Sequence, residues 1–320
     1  MANQKKSPVT AFAPATVANV GCGFDVLGFA IHGPGDLVTA SFSDKPGLRI
    51  ASISGDGGRL PLEVENNTAG LAAKALIKAA GYDIHADGIE LSIVKKMPLG
   101  SGLGSSAASS VAAVVAVNEL LGTPFSKENL LPFAVEGEIA ASGTPHADNV
   151  AAALIGGFIL VKNHLPPDVI SLYTPEDLHC TIIHPAIEIQ TKNSRKILKK
   201  QVSLEKAVKQ WGNVGGLIAG LYTSDYNLIG RSLHDEIIEP VRSLLIPGFN
   251  EMKKAALETG ALGCSISGSG PSLFALSTSE QLANDIGKQM GAVLDEIGLD
   301  YDLFVSKVNV EGACVVNLES

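Results

Sequence analysis

Aromatic residues are scarce in this chain of 320 residues, at 5% with a single tryptophan. An aromatic platform for stacking bases or sugars is therefore not a reading that the composition favours. Positive charge is in the minority as well, with 24 Lys and Arg against 33 Asp and Glu and a formal net charge of −9. Binding a phosphate backbone needs a basic face, so no nucleic acid partner is expected. An anionic small ligand stays open, provided that local amides, Arg, Lys or a metal ion offset the overall field.

Cysteine is sparse and scattered. Cys22, Cys180, Cys264 and Cys314 form no C-x-x-C pair, which predicts buried free thiols in a reducing cytoplasm. No H-E-x-x-H motif or Cys/His cluster offers a zinc site. Long apolar runs are missing too. The weakly polar stretch Ala107–Val117 is too short to span a bilayer and contains Ser109 and Ser110. The opening MANQKKSPVT has two lysines with no apolar stretch behind them, unlike a secretory signal. The expectation is a soluble cytoplasmic protein with no membrane partner.

What the chain does have is a 46% apolar composition rich in Ala and Gly, enough for one large domain or two ordinary ones. No fixed-period repeat is visible. The first half reads as strands in VTAFAPATVAN, DLVTASFS and LRIASISG, then a helix over Asn66–Gly81 capped by Asn67 or Thr68. A strand over Gly88–Pro98 leads to a glycine loop, and helices follow from Ser105 to Leu121 and from near Ser126 through Glu138. Gly156–Val161 reads as a strand and HLPPDV as a break, which puts a domain boundary at 165/166. The second half reads as three strands, CTIIHPAIEI, a loop and strand in GCSISGSGPSLFALS, and DLFVSKVN, with four helices between them. Strands and helices without a regular β-α-β alternation predict an α+β fold in both halves.

The loop deserves the closest reading, since PLGSGLGSS packs three glycines and three serines into nine residues (98–106). Strand, glycine loop and a helix that opens on serines is a geometry for holding an anion. The first N–H groups of a helix lack internal partners and carry partial positive charge. Gly100, Gly102 and Gly104 let the backbone approach phosphate oxygens, and Ser105 and Ser106 add hydroxyls. A tight strand-to-helix turn is the plain structural alternative. A dinucleotide reading of Gly102-Leu-Gly104-Ser-Ser-Ala107 wants an acidic residue about 20 positions on at a strand end, but Glu119 falls inside the helical run. A classical P-loop wants a Gly-Lys-Ser/Thr, and Lys95 and Lys96 precede this loop instead.

PLGSGLGSSAA resembles the second signature of the GHMP kinases. APATVANVGCGFDVLG (13–28) resembles their first signature and GCSISGSGPSLFAL (263–276) their third, in the expected order. The resemblance implies a two-domain α+β fold, a ribosomal-protein-like N-terminal domain (1–165) and a ferredoxin-like C-terminal domain (166–320). It also implies phosphorylation of a small molecule with ATP and Mg²⁺. GTPHADNVAAALIGGF and EPVRSLLIPGF, beside the first and third signatures, resemble the branch that acts on the amino acid homoserine, on the way to threonine. Cys22 departs from that branch, where another small residue or Pro is more usual.

Carried over residue by residue, the resemblance implies ATP contacts from Pro98, Leu99, Gly100, Ser101, Gly102, Leu103, Gly104, Ser105, Ser106, Ala107 and Ala108, with Asn67 near adenine or ribose. Ser106 and Glu138 resemble the Mg²⁺ ligands. Asn19 and Asp25 resemble substrate residues, and Asp25 suits an ammonium group. Arg195 and Arg242 fit a carboxylate clamp, because a guanidinium binds carboxylate through two parallel hydrogen bonds. Four lysines around Arg195 make a solvated basic face an alternative there. His146 and Asn149 are assigned to substrate positioning. Asp148 is either a general base or a helix cap, and deprotonation by the γ-phosphate is the alternative to a base. Gly268–Ser272 is expected as a second glycine loop near the phosphates. The expected partner is a small-molecule substrate, homoserine, and a homodimer is entertained although the residues leave oligomeric state open. Another member of the family, of the mevalonate type, and a non-catalytic ATP or amino-acid sensor are the competing functions.

Overall fold

The computed structural model describes residues 7–143 and 145–317. The first six residues, part of the stretch on which the absence of a signal was read, lie outside it. In chain order, β1 (Val9–Ala18), β2 (Leu27–Ser43) and β3 (Leu48–Ser54) precede α1 (Thr68–Ala79) and β4 (Gly88–Val94). Then come α2 (Ser105–Leu120), α3 (Leu131–Ser142) and α4 (Ala147–Ile155), followed by β5 (Phe158–His164) and β6 (Pro167–Leu172). β7 (His179–Pro185) leads to α5 (Thr191–Lys196), α6 (Leu204–Thr223), α7 (Tyr226–Ser232), α8 (Glu239–Arg242) and α9 (Phe249–Thr259). The chain finishes with β8 (Gly263–Ile266), β9 (Leu273–Ser277), α10 (Glu280–Ile297), β10 (Tyr301–Lys307) and β11 (Cys314–Val316).

Two sheets result, so the α+β expectation holds. The first has the order β11-β1-β2-β4-β3, with β5 joined to the N-terminal end of β2 and β6 to β5. All its pairings are antiparallel except β3 with β4. The second has the antiparallel order β10-β7-β9-β8. Phe29 from β2 lies edge-on to Phe274 from β9 with ring centroids 5.9 Å apart, and one buried cluster runs through both sheets.

Helix α2 explains how the glycine loop is held. Its sequence SSAASSVAAVVAVNEL has no polar stripe, and thirteen of its sixteen residues are buried. A helix apolar on every side belongs in the core. Small Ala and Ser residues let α1, α3 and α4 pack close around it. The N-terminus of α2 is thereby fixed against the sheet rather than free on the surface.

Four expectations are corrected. HLPPDV is the turn of the β5–β6 hairpin, not a break between units, so the 165/166 boundary falls inside the first sheet. Residues 147–155 form helix α4, an element absent from the order of strands and helices read from the sequence, where only the helix-cap alternative for Asp148 pointed to it. Its sequence ADNVAAALI buries seven of nine residues and so carries little polar periodicity to read. The short edge strand β11 was missed because three residues give no alternation. Cys22, Cys180 and Cys264 are buried free thiols as expected, but Cys314 is exposed.

Candidate active site

A cavity of about 160 Å³ lies between the N-termini of α2 and α4, lined also from Asn19, Asp25, Glu138, Arg195, Arg242 and the 268–269 turn. Of the residues expected to hold ATP, Leu99, Gly100, Ser101, Gly102, Gly104, Ser105, Ser106 and Ala107 line it. Leu103 and Ala108 are buried in the core behind it, and Pro98 is half-buried outside the lining. Asn67 does not line it either. Its Oδ1 accepts from Ala69 N at 3.0 Å to cap α1, and its Nδ2 donates to Pro61 O at 3.1 Å, so both ends of the amide serve local structure.

The glycine loop is shaped by close contacts. Gly104 has φ +70°, and a Cβ there would run into Thr16 Oγ1 and lie 2.8 Å from Asn149 Oδ1. Those two side chains are themselves paired, Thr16 Oγ1 donating to Asn149 Oδ1 at 2.8 Å. Gly102 has φ +81° and faces the backbone of Ser267 and Gly270. The second glycine loop thus clasps the first, with Ser267 Oγ donating to Gly102 O at 2.8 Å and Ser272 N to Ser101 O at 3.2 Å. Ser101 Oγ is buried at the cavity wall without a hydrogen-bond partner among the described residues.

Beneath α2 sits a buried ion pair that sequence reasoning did not find. Lys95 Nζ bonds Asp36 Oδ2, and donates to Ser105 O at 2.8 Å and Ser109 Oγ at 2.6 Å. Ser105 and Ser109 hydroxyls both donate to Asp36, at 3.1 and 3.0 Å. The pair therefore ties the first turn of α2 to β2. The sequence signal was slight, two adjacent lysines after the alternating strand GIELSIV.

The residues expected to meet the substrate converge. Arg195 forms the two-pronged pair with Asp25, Nη1 to Oδ2 at 2.9 Å and Nη2 to Oδ1 at 2.7 Å. Arg242 is 3% exposed and donates to Gly268 O at 3.0 Å. Both guanidiniums stack on the ring of Phe24, at 5.4 and 5.1 Å, a favourable cation–π geometry. Burial, then Arg195, lowers the Arg242 pKa to about 10, which leaves it cationic at neutral pH. Asn19 and Asp25 adopt left-handed backbone, φ 67° and 60°. Asn19 works as a brace: its Nδ2 donates to Gly268 O at 2.6 Å and its Oδ1 accepts from Asp25 N at 2.9 Å. Thr191, missed in the sequence, also lines the cavity and pairs with Ser269 Oγ at 3.2 Å. Its four-residue spacing from Arg195 on α5 puts both on one helix face, a signal available only once 191–196 is known to be helical.

Three carboxyl groups face this cationic environment. Asp148, in the first turn of α4, is 2% exposed. Burial and then the charge of Asp25 push it up to about 7. Its Oδ1 has no hydrogen-bond partner among the described residues. Asp148 is not the cap of α4; that position belongs to His146, which makes no side-chain cap bond. Burial, then Arg195, holds His146 below the usual histidine range, so it stands neutral in the cavity. Glu138 on α3 is buried, and burial raises its pKa to about 6 while a hydrogen bond from the Ser106 side chain and the charge of Lys95 pull it down. Glu138 and Ser106 are hard oxygen donors side by side at the mouth of α2, a donor set that fits Mg²⁺. Among the described residues no group of three or more His, Cys, Asp or Glu could hold a metal, so phosphate oxygens would have to complete the shell.

Known proteins resemble this chain in sequence and in fold. The models of the GHMP kinases N-terminal domain and the GHMP kinases C-terminal region match residues 67–157 and 217–296. The homoserine kinase of Chlorobium phaeobacteroides (strain BS1) is 48% identical over 320 residues, covering 96% of this chain and 99% of the relative. The chain belongs to the homoserine kinases of the GHMP kinase family. The crystal structure of homoserine kinase from Cytophaga hutchinsonii is 57% identical with a TM-score of 0.95, covering 97% of this chain and 98% of that one. Leishmania major mevalonate kinase in complex with R-mevalonate, 19% identical with a TM-score of 0.72 over 96% of this chain and 98% of that one, shares the GHMP kinase fold.

Proposed function

We propose that the protein transfers the γ-phosphoryl group of ATP to the hydroxyl of L-homoserine, giving O-phospho-L-homoserine and ADP, a step toward threonine. The observation that carries this is the meeting, in one cavity, of an anion-holding helix mouth with residues that sort a zwitterion. Asp25 takes the ammonium group, and Arg195 and Arg242 take the carboxylate. In the free protein Arg195 and Asp25 neutralise each other, and an amino acid replaces that pair with matched charges of its own. Mevalonate would satisfy the arginines but leave Asp25 facing no ammonium. A site built for a polar group rejects an analogue that lacks it, because its own group is left unpaired.

In the proposed reaction the backbone amides of the glycine loop and the start of α2 hold the phosphates of ATP, with Ser101 and Ser106 adding hydroxyls. Mg²⁺, held by Glu138 and Ser106, would neutralise phosphate charge. His146 and Asn149 border the substrate. The hydroxyl oxygen of homoserine bonds to the γ-phosphorus as the bond from that phosphorus to the β,γ-bridging oxygen breaks, and ADP leaves with the electron pair. Asp148, with its value near 7, is the acceptor for the hydroxyl proton. The rest of the acceleration comes from alignment and charge neutralisation, as phosphoryl transfer requires.

The two-unit organisation is kept with its junction placed between β6 and β7, since β6 pairs within the first sheet. A cytoplasmic location is consistent with three buried free thiols, and no helix of the described residues is long and apolar enough to cross a membrane. The test is a coupled assay of ADP release with homoserine, mevalonate, galactose and shikimate. Turnover with homoserine alone is expected. No turnover with homoserine, or faster turnover with mevalonate, would overturn the assignment.

A further inference from the structure

The connection between β3 and α1 puts an arginine at the lip of the glycine loop. Ser54, the last residue of β3, accepts from Lys95 N at 2.8 Å, just before the loop begins at Pro98. The chain then turns at Asp56, 6% exposed, whose carboxylate accepts from Gly58 N at 3.2 Å and Leu60 N at 2.9 Å. An Asx-type turn of this kind fixes the backbone on both sides of Arg59. The Arg59 guanidinium reaches across to the β7–α5 connection, where Nη1 donates to Glu188 Oε2 at 2.7 Å. That connection is itself anchored on either side of Glu188. Ala186 N donates to Asp300 O at 2.7 Å, and Ile189 lies against the Gly270 turn.

Glu188 lies on Gly100. A Cβ at Gly100 would stand 2.6 Å from Glu188 Cγ and 3.2 Å from Oε1, so the carboxylate rests against the loop. Gly100 is also one of the residues that line the candidate site. A carboxylate beside bound phosphate is a like-charge contact that opposes binding. The formal net charge of −9 does nothing to relieve it. Lys95 is already matched by Asp36 and Arg195 by Asp25. Among the described residues, Arg59 is the ion-pair partner that Glu188 has.

We propose that Arg59 is a positioning residue for the nucleotide: it cancels the Glu188 carboxylate at the lip of the glycine loop and thereby sets how tightly the loop holds phosphate. This rests on the reading that residues 100–106 take the phosphates of ATP. The stem of Glu188 covers Gly100, where a side chain on the loop would collide with it. Its charge is the costly part of that contact, and the guanidinium answers it. The two side chains are 51% and 45% exposed, so the pair adds little to stability. What it governs is the charge beside the loop. That charge is negative without Arg59, positive without Glu188, and balanced with both or with neither.

The test is a double-mutant cycle on the Kd for ADP, read by calorimetry on the full chain. Arg59→Gln should raise that Kd about three- to tenfold, and Glu188→Gln should lower it by a similar factor. Arg59→Gln/Glu188→Gln should return it to within about twofold of the unaltered protein. Raising potassium chloride from about 0.05 to about 0.5 M should shrink both single shifts, as screening of half-exposed charges requires. The KM for homoserine should change little in all three variants, which separates a charge effect from a displaced α5. Single variants that leave the Kd unchanged, or move it in the same direction, would overturn the proposal. So would a double variant as weak as Arg59→Gln, because the guanidinium would then be gripping phosphate directly. An unaltered protein that binds no ADP would overturn the phosphate-loop reading itself, and this proposal with it.

Discussion

Asp148 and Arg242 show how much of the proposed chemistry rests on single buried side chains. Folding favours the neutral form of Asp148, because burial and Asp25 raise it from an ordinary 3.8 to about 7. The stability that this contributes is complete below pH 3.8 and is lost as pH rises through about 7. Asp148→Asn keeps a neutral group at every pH. Its melting temperature should therefore exceed that of the unaltered protein at pH 8, with the gap narrower at pH 5 and closed only below pH 3.8. The same variant should lose about 10²- to 10⁴-fold in kcat if Asp148 accepts the proton. A kcat within a few-fold of normal would assign that proton to the γ-phosphate. Arg242→Ala removes a charge-assisted contact of the kind that holds a carboxylate, and the KM for homoserine should rise about 10- to 100-fold. The KM for ATP should change little, and steady-state kinetics with each substrate varied in turn would show the split.

Most cavity residues were legible at this scale because three family motifs, two of them rich in glycine and serine, name them in order. Asn67 was not, since an Asn that caps a helix and one that touches a nucleotide look alike in sequence. Thr191 carried no signal of its own. It gains meaning only from its place on α5 beside Arg195.

The loop and helix proposed to hold the phosphates are held in turn by what packs beneath them. Gly104→Ala would force Cβ against Thr16 and Asn149 at a φ of +70°, a strained backbone for alanine. The Kd for ADP, read by calorimetry, should rise about tenfold or more. Lys95 and Asp36 are 2% and 0% exposed. Lys95→Met would leave a buried carboxylate without its cation, and urea unfolding should show a loss of about 3–5 kcal/mol. Lys95→Met/Asp36→Leu should recover most of it, because the stranded charge is gone. Strands with clear alternation and helices with clear caps were legible at this scale. Helix α4 was not, since a nine-residue element buried on nearly every side shows neither a polar stripe nor a capping side chain.

At the scale of the whole molecule, the α+β class was legible from the irregular succession of strands and helices, but the sheet order was not. Pairing of β11 with β1 and of β6 with β5 depends on where distant segments meet, and three-residue or proline-flanked strands give too few positions to read. The central claim is likewise about distant parts meeting. Residues 99–102 and 104–107 share one cavity with Asn19, Asp25, Arg195 and Arg242 because α2, α4 and the 268–269 turn bring them together. A crystal structure with a nonhydrolysable ATP analogue and homoserine tests this most directly. The account predicts phosphate oxygens on the backbone amides of residues 100–106, with the amino acid between Asp25 and Arg242 and its hydroxyl turned toward the γ-phosphate. Nucleotide bound away from that loop, or homoserine bound in a separate pocket, would contradict it.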